Sequence, residues 1–158
     1  MLHNSKVQDC MTHPAMTVTP YMSVRLAQQL MRDYHIRHLP VVKDNQLVGI
    51  LSSGDIRHAS PSDATSLSIW EIRYLWDQVK VEEVMSRSVI TVKPDTPMLE
   101  AVRLMVEHRF NSLPVVDDSG RLLGILTEVD VYLLFIRASE QIERESALPF
   151  DYPVAVLS

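Results

Sequence analysis

The amino-acid sequence predicts an α+β (mixed α/β) fold in which two copies of one unit, each ordered strand-helix-strand-strand-helix, pack with pseudo-twofold symmetry. The first observation is a repeat, because a shift of about 74 positions aligns the two halves of the 158-residue chain. The second is that hydrophobic periodicity changes in the same order in both halves. One small three-stranded sheet cannot enclose a core alone, so we expect the two copies to form one folding unit.

The repeat is carried by short identical segments. Leu-Pro-Val-Val at 39–42 returns at 113–116, and Gly-Ile-Leu at 49–51 returns at 124–126. The second half gains one residue in the turn at Ser119-Gly120, and later positions correspond at a shift of 75. By this alignment Ser52 and Asp55 match Thr127 and Asp130.

Each element of the unit follows from its residue pattern. The β-branched runs at 16–19 and 89–92, stopped by Pro20 and Pro94, predict the first strands. Apolar residues at three-to-four spacing after Ser23 and after Thr96-Pro97 predict amphipathic helices. Two short apolar strands around a polar turn then predict a hairpin in each half, and a closing helix begins near Ser53 or Glu128.

The predicted organisation has four parts: repeat one at 1–60, a connecting loop and helix at 61–79, repeat two at 80–146 and an apolar tail at 147–158. The connecting helix, at 67–79, carries Trp70 and Trp76. We expect it to pack on the second repeat; the alternative is a dimer contact through the tryptophans, which are enriched at interface hot spots. The tail is expected to lie against the body or a partner subunit.

Charge and composition exclude several classes of protein. Fifteen Lys and Arg against twenty Asp and Glu give a net charge of −5 without a basic cluster, which disfavours nucleic-acid binding. No apolar run reaches the roughly 20 residues that span a bilayer, and the first residues lack the apolar core of a secretory signal. With one cysteine, Cys10, no internal disulfide is possible. We expect a cytoplasmic protein that binds neither membrane nor nucleic acid.

The doubled pattern Thr-Val-x-Pro, Leu-Pro-Val-Val and Gly-Ile-Leu-[Ser/Thr]-x-x-Asp resembles a tandem pair of CBS domains, the Bateman module. The resemblance covers nearly the whole chain. The segments at 35–42 and 55–62 further resemble the stand-alone CBS proteins of the acetoin-utilisation type. The resemblance implies a non-enzymatic regulatory sensor that binds an adenosine nucleotide, AMP, ADP, ATP or S-adenosylmethionine, in clefts between the repeats. It also implies a homodimer and a regulated partner protein.

Family geometry implies that each cleft is composite, with the Asp motif of one repeat facing the first strand and the pre-Leu-Pro residues of the other. Asp55 and Asp130 are the implied ribose readers, because a carboxylate accepts hydrogen bonds from both hydroxyls. The first cleft would join Thr127 and Asp130 to Thr17, Val18, Arg37 and His38. The second would join Ser52 and Asp55 to Thr91, Val92, Asn111 and Ser112. Arg37 and His38 make the first cleft better equipped for phosphate.

Other interpretations of the same residues stay open. Ser52, Asp55, Thr127 and Asp130 are residue types that cap helices, which is their purely structural explanation. The histidine pair His35 and His38 lacks the further ligands of a metal site, so no metal and no other cofactor is expected. No nucleophile-base arrangement predicts catalysis. The main alternative function is an interaction or oligomerisation module whose nucleotide clefts are vestigial.

Overall fold

The computed structural model describes residues 4–61 and 66–146 and confirms the α+β prediction with two repeats. Repeat one contains helix α1 (Val24–Asp33), strands β1 (His38–Lys43) and β2 (Gln46–Ser52), and helix α2 (Ser53–Ala59). The connection holds helix α3 (Ile69–Gln78). Repeat two contains the short helix α4 (Val81–Val84), helix α5 (Met98–His108), strands β3 (Ser112–Val116) and β4 (Leu122–Thr127), and helix α6 (Glu128–Ser146). Repeat one begins with a 3-10 helix (Val7–Asp9).

Each predicted three-stranded sheet is a two-stranded hairpin with one extended residue beside it. The pairs β1-β2 and β3-β4 are antiparallel. The predicted first strands contribute a single parallel bridge each, from Val18 to Val41 and from Val92 to Val115. Val18 donates to Pro40 O at 3.1 Å and accepts from Val42 N at 2.9 Å, and Val92 makes the matching pair of bonds. The prolines two residues later end the pairing, because they cannot donate to a ladder.

The two repeats exchange their first segments. Val7 is fully buried in the core of repeat two, whereas Val81 and Met85 are buried in the core of repeat one. Matched backbone bonds hold both segments: Val7 N donates to Thr96 O at 2.9 Å, and Val81 N donates to Met22 O at 2.9 Å. This reciprocal exchange gives the predicted pseudo-twofold symmetry a physical basis, because each core is incomplete without the other repeat.

The exchange explains why glycine opens each Gly-Ile-Leu segment. A Cβ on Gly49 would lie 2.6 Å from Met85 Sδ and 2.9 Å from Ser86 O, and one on Gly124 would lie 2.7 Å from Thr12 O. Thr12 and Ser86 belong to the exchanged segments, and each exchanges two backbone hydrogen bonds with the hairpin of the other repeat. Any side chain at these positions would push the repeats apart.

Helix α3 packs on repeat one, so the expectation that the connecting helix packs on repeat two is wrong. Trp76 and Val79 contact the core of repeat one, and Arg25 of α1 forms an ion pair with Asp77 at 2.6 Å. Trp70 remains 73% exposed. Amphipathic spacing predicts a buried face but does not say which neighbour covers it. The apolar tail at 147–158 lies outside the described residues.

None of the described helices combines the length and apolar character that a membrane crossing requires.

Candidate functional site

Two clefts lie between the repeats. Cleft one, about 440 Å³, is lined by Thr127 and Asp130 of repeat two and by Arg37 and His38 of repeat one. Cleft two, about 320 Å³, is lined by Ser52, Asp55, Asn111, Ser112 and His38. Both volumes lie at the lower end of the range of small-molecule sites, about 300 to 1,000 Å³. The composite arrangement that the resemblance implies therefore brings eight of the twelve candidate residues together.

The other four candidates, Thr17, Val18, Thr91 and Val92, lie outside the lining of the cleft assigned to them. Val18 and Val92 are 2% and 5% exposed, and their side chains belong to the two cores. The clefts are lined one residue before the threonines, by Met16 in cleft one and by Ile90 in cleft two. In extended backbone successive side chains point to opposite faces, so the threonine that follows Met16 or Ile90 does not line the same cleft.

Asp130 in cleft one is buried and fully engaged by the protein. Its Oδ2 accepts from Thr127 N at 2.7 Å and from Thr127 Oγ1 at 2.8 Å, and its Oδ1 accepts from Thr12 Oγ1 at 3.0 Å. The side chain is 8% exposed. Because Thr12 belongs to the exchanged segment of repeat one, this carboxylate also ties the two repeats together.

Asp55 in cleft two occupies the equivalent position with fewer bonds. Its Oδ2 accepts from Ser52 N at 2.8 Å, and Ser52 Oγ accepts from Asp55 N at 3.1 Å, which closes a capping box at the start of α2. Ser86 stands where Thr12 stands in cleft one. Within residues 4–61 and 66–146, Asp55 Oδ1 has no side-chain or backbone donor. One carboxylate oxygen is therefore available to a ligand.

Arg37, the expected phosphate ligand of cleft one, is already paired. Its Nη2 donates to Glu128 Oε1 of repeat two in a short ion pair, with the Arg37 side chain 59% exposed and the Glu128 side chain 27% exposed. Glu128 follows Thr127 directly and lines the same cleft. The pair crosses from one repeat to the other, and it neutralises the cation that a phosphate would meet there.

Cleft two has a cation that the sequence analysis did not assign to it. Arg109 lines this cleft, at the end of α5, in the left-handed conformation with φ of 55°. Its counterpart in repeat one is His35, which has φ of 53° and lines cleft one. Each cleft thus receives a basic side chain from a left-handed residue just after the preceding helix. The repeat alignment, extended two positions before Arg37 and Asn111, would have found both.

His38 lines both clefts and is the titratable group that they share. In the β1-β2 register it lies opposite Ser52, which places it beside the Asp motif of its own repeat. Burial, and next the charge of Arg37, lower the pKa of this imidazole, whereas Glu128 and Asp55 act in the opposite direction. The surroundings of His38 therefore favour its neutral form over the imidazolium.

Residues outside the repeated motif complete the site, and the sequence analysis missed them. Thr12, Met16 and Glu128 reach cleft one, whereas Ser86 and Arg109 reach cleft two. Over the described part of the chain, no three side chains of metal-ligating type come together. The arrangement can accept hydrogen bonds from hydroxyl groups and can place cations beside an anion.

Comparison with known proteins decides the family. The model of the CBS domain matches residues 7–62 and again residues 81–136. The chain belongs to the CBS-domain family. The CBS repeats identified by their doubled motif coincide with these two matches.

Among curated relatives, the chain is 36% identical over 131 residues to a homoserine O-acetyltransferase from Methanococcoides burtonii. The match covers 82% of this chain and 24% of that enzyme. This chain spans about a quarter of the length of several such relatives, so the shared part is their CBS portion rather than the whole protein.

Solved CBS structures match over most of the chain. A putative acetoin utilization protein (AcuB) from Vibrio cholerae is 31% identical with a TM-score of 0.75, covering 92% of this chain and 98% of that one. CBSX2 in complex with AMP is 33% identical with a TM-score of 0.69, covering 87% and 98%. The CBS domain pair of MJ0100, in complex with 5'-methylthioadenosine and S-adenosylmethionine, is 30% identical with a TM-score of 0.70, covering 85% and 98%. The resemblance to stand-alone CBS proteins is thereby confirmed.

Proposed function

We propose that this protein is a non-enzymatic regulatory sensor that binds an adenosine nucleotide between its two CBS repeats and passes the resulting change of shape to a partner protein. The observation that carries the proposal is the composite cleft, in which an Asp of one repeat faces basic residues of the other. Similar CBS structures contain AMP, 5'-methylthioadenosine or S-adenosylmethionine, which share an adenosine group and support this ligand class.

Each part of an adenosine nucleotide has a complementary group in the clefts. The available Oδ1 of Asp55 can accept ribose hydroxyls in charge-assisted hydrogen bonds. Apolar side chains such as Met16 and Leu133 in cleft one, or Ile50 and Ile90 in cleft two, can pack against the base. The basic residues at the ends of the preceding helices lie where an anion can approach.

The Arg37–Glu128 ion pair gives the signal a physical route. A phosphate that binds Arg37 competes with Glu128 and so removes a contact between the repeats. A ligand shifts a conformational equilibrium only through its different affinity for the two states. Binding that replaces an inter-repeat bond by a bond to the ligand meets this condition.

A thermal-shift experiment tests the proposal. A ligand at about 100 times its dissociation constant stabilises one site by about 2.7 kcal/mol, and a domain of this size shifts by about 2 to 4 °C per kcal/mol. We expect AMP, ADP, ATP or S-adenosylmethionine at millimolar concentration to raise the melting temperature by several degrees. A change of less than about 1 °C with all four would contradict the proposal.

The second candidate function is an interaction module with unused clefts. It is favoured by the capping role of Asp55 and by exposed apolar side chains such as Trp70 at 73%, Tyr132 at 60% and Phe135 at 65%. Both functions include the predicted homodimer, so light scattering should give twice the 18.0 kDa of the chain. A monomer at tens of micromolar concentration would contradict that expectation, and only the thermal-shift result separates the two functions.

A further inference from the structure

A cavity of about 790 Å³ forms an open groove between α1 and α2 of repeat one. Its floor is apolar, formed by Met31 and Ile56, which are 5% and 1% exposed. Arg32, Arg37, Arg57 and His35 also line it, and none of the lining residues among 4–61 and 66–146 is acidic. In a chain of net charge −5, this is a local concentration of positive charge.

The equivalent surface of repeat two shows that the fold does not require these charges. The repeat alignment matches Gln28, Arg32, Arg57 and Ser60 with Val102, Val106, Tyr132 and Phe135. Both surfaces cover a core of the same design, yet one is basic and the other apolar. Arg32 and Arg57 lie in the last turns of their helices, where a cation interacts favourably with the helix dipole. That effect accounts for one charge at each helix end, but it does not account for a third guanidinium facing the same groove.

The groove continues cleft one. His35, Ile36 and Arg37 line both cavities, so Arg37 stands at the boundary between them. Within residues 4–61 and 66–146, Arg32 and Arg57 take part in no ion pair, whereas Arg37 pairs with Glu128. An anion that passes Arg37 from cleft one therefore meets two further guanidinium groups that no carboxylate of the described residues pairs with.

We propose that the groove between α1 and α2 is a polyphosphate subsite of cleft one, in which Arg32 and Arg57 bind the outer phosphates of an adenosine di- or triphosphate. The inference rests on the proposed function, because cleft one must hold the adenosine. Guanidinium groups suit this role, since they bind phosphate through two parallel charge-assisted hydrogen bonds. With this subsite the protein distinguishes adenosine ligands by the number of phosphates that they carry.

Calorimetric titration of three proteins with adenosine, AMP and ATP at constant ionic strength tests the subsite. They are the wild type, the double variant Arg32→Gln/Arg57→Gln, and the control Arg103→Gln, which removes an exposed charge from α5 of repeat two. We expect the double variant to lose about tenfold or more in ATP affinity, the equivalent of one lost charge-assisted contact. AMP and adenosine should bind within about twofold of wild type, because neither reaches the groove. Arg103→Gln should bind all three ligands normally.

Two results would overturn the subsite: equal weakening of AMP and ATP in the double variant, or an ATP loss in Arg103→Gln as large as in the double variant. A role of the arginines in helix stability alone would lower the melting temperature without changing the ratio of ATP to AMP affinity. If the wild type binds no adenosine ligand, the proposed function fails, and inorganic tripolyphosphate becomes the probe. Tripolyphosphate binding that the double variant loses and Arg103→Gln retains supports the groove as an anion site, and its absence in the wild type refutes it.

Discussion

Clefts one and two hold a carboxylate at equivalent positions, but the protein uses the two groups differently. Asp130 accepts hydrogen bonds on both oxygens and is 8% exposed, whereas Asp55 keeps one oxygen available. The difference comes from the exchanged segments, where Thr12 reaches Asp130 and Ser86 makes no corresponding bond to Asp55. A repeated motif therefore fixes where a functional group lies, while residues outside the motif decide whether the group can bind a ligand.

The basic residues of the two clefts also differ in whether a carboxylate of the protein already pairs with them. Cleft one has Arg37, yet Glu128 neutralises it, and cleft two has Arg109 instead. The prediction that cleft one is better equipped for phosphate considered only the two positions before Leu-Pro, and it remains a prediction. Asp55 Oδ1 accepts no bond from the described residues, whereas a ribose at Asp130 Oδ1 would share that oxygen with Thr12 Oγ1. Polyphosphate binding in the adjoining groove is what would favour cleft one.

The largest expected difference is in stability. Asp130→Ala removes a charged acceptor from three hydrogen bonds, one of them between the repeats, and we expect it to lower the free energy of unfolding by about 3 kcal/mol. Asp55→Ala removes only the carboxylate that accepts from Ser52 N in the capping box, while Ser52 still caps α2, and should cost about 1 kcal/mol. Urea denaturation of both variants measures the comparison.

Thr12→Val is the control for the stability comparison, because it removes only the inter-repeat donor. A loss of about 1 kcal/mol is expected for one hydrogen bond. Equal losses in Asp130→Ala and Asp55→Ala would show that the two carboxylates have the same structural role, contrary to the bonding pattern.

The repeat made much of this site predictable. Self-alignment identified Ser52, Asp55, Thr127 and Asp130 without any knowledge of the fold, since identical motifs in two copies must occupy equivalent places. The resemblance to CBS pairs, rather than the repeat, pointed to Arg37, His38, Asn111 and Ser112, which lie at the starts of β1 and β3 or directly before them. All eight lie at the clefts because strand ends and helix starts meet there.

What the sequence did not predict depends on contacts between distant segments. The Thr12–Asp130 bond joins residues 118 positions apart, and the Arg37–Glu128 pair joins residues 91 positions apart. Periodicity describes one element at a time and contains no information about such pairs. The assignment of Thr17 and Thr91 stays a prediction, and its weakness is local: a β-branched run predicts extended backbone, but not which of its residues face the cleft.

A smaller effect is expected from exchanging the charge at Glu128 and its counterpart Ser53. Glu128→Gln frees Arg37, and we expect AMP to bind cleft one about threefold more tightly, because an exposed ion pair contributes roughly 0.2 to 1 kcal/mol. Adenosine affinity should not change, since it carries no phosphate. Calorimetry with AMP and adenosine measures both.

Ser53→Glu is the matched variant, because it places the same carboxylate at the equivalent position of repeat one. We expect it to weaken ATP binding, because Ser53 lines the groove that carries Arg32, Arg37 and Arg57, and to leave cleft two unaffected, because Ser53 does not line that cleft. If Glu128→Gln alters adenosine and AMP affinity equally, Glu128 shapes the cleft rather than competing with phosphate for Arg37.

The smallest expected effect is the pH dependence that His38 confers on both clefts. Its pKa lies below the ordinary histidine value because burial and the charge of Arg37 disfavour the imidazolium. The carboxylates of Glu128 and Asp55 oppose this shift only in part, and Arg109 lines the same cavity as His38.

A histidine whose pKa is lowered in the folded state binds its proton more readily when the chain is unfolded. Its contribution to stability is therefore present above about pH 6.5 and is lost as the pH falls toward the folded pKa. We therefore expect the free energy of unfolding of wild type to fall between pH 7.5 and pH 5 by more than that of His38→Asn. Urea denaturation at the two pH values measures the difference, and comparing the two proteins cancels the contribution of the other histidines to the pH dependence.

Parallel pH profiles of the two proteins would mean that His38 gains its proton in the folded protein as easily as in the unfolded chain. If His38 has the lowered pKa, saturating AMP should reduce the change of the wild-type free energy of unfolding with pH. The reason is that a phosphate in either cleft compensates the charge of protonated His38 and raises its pKa.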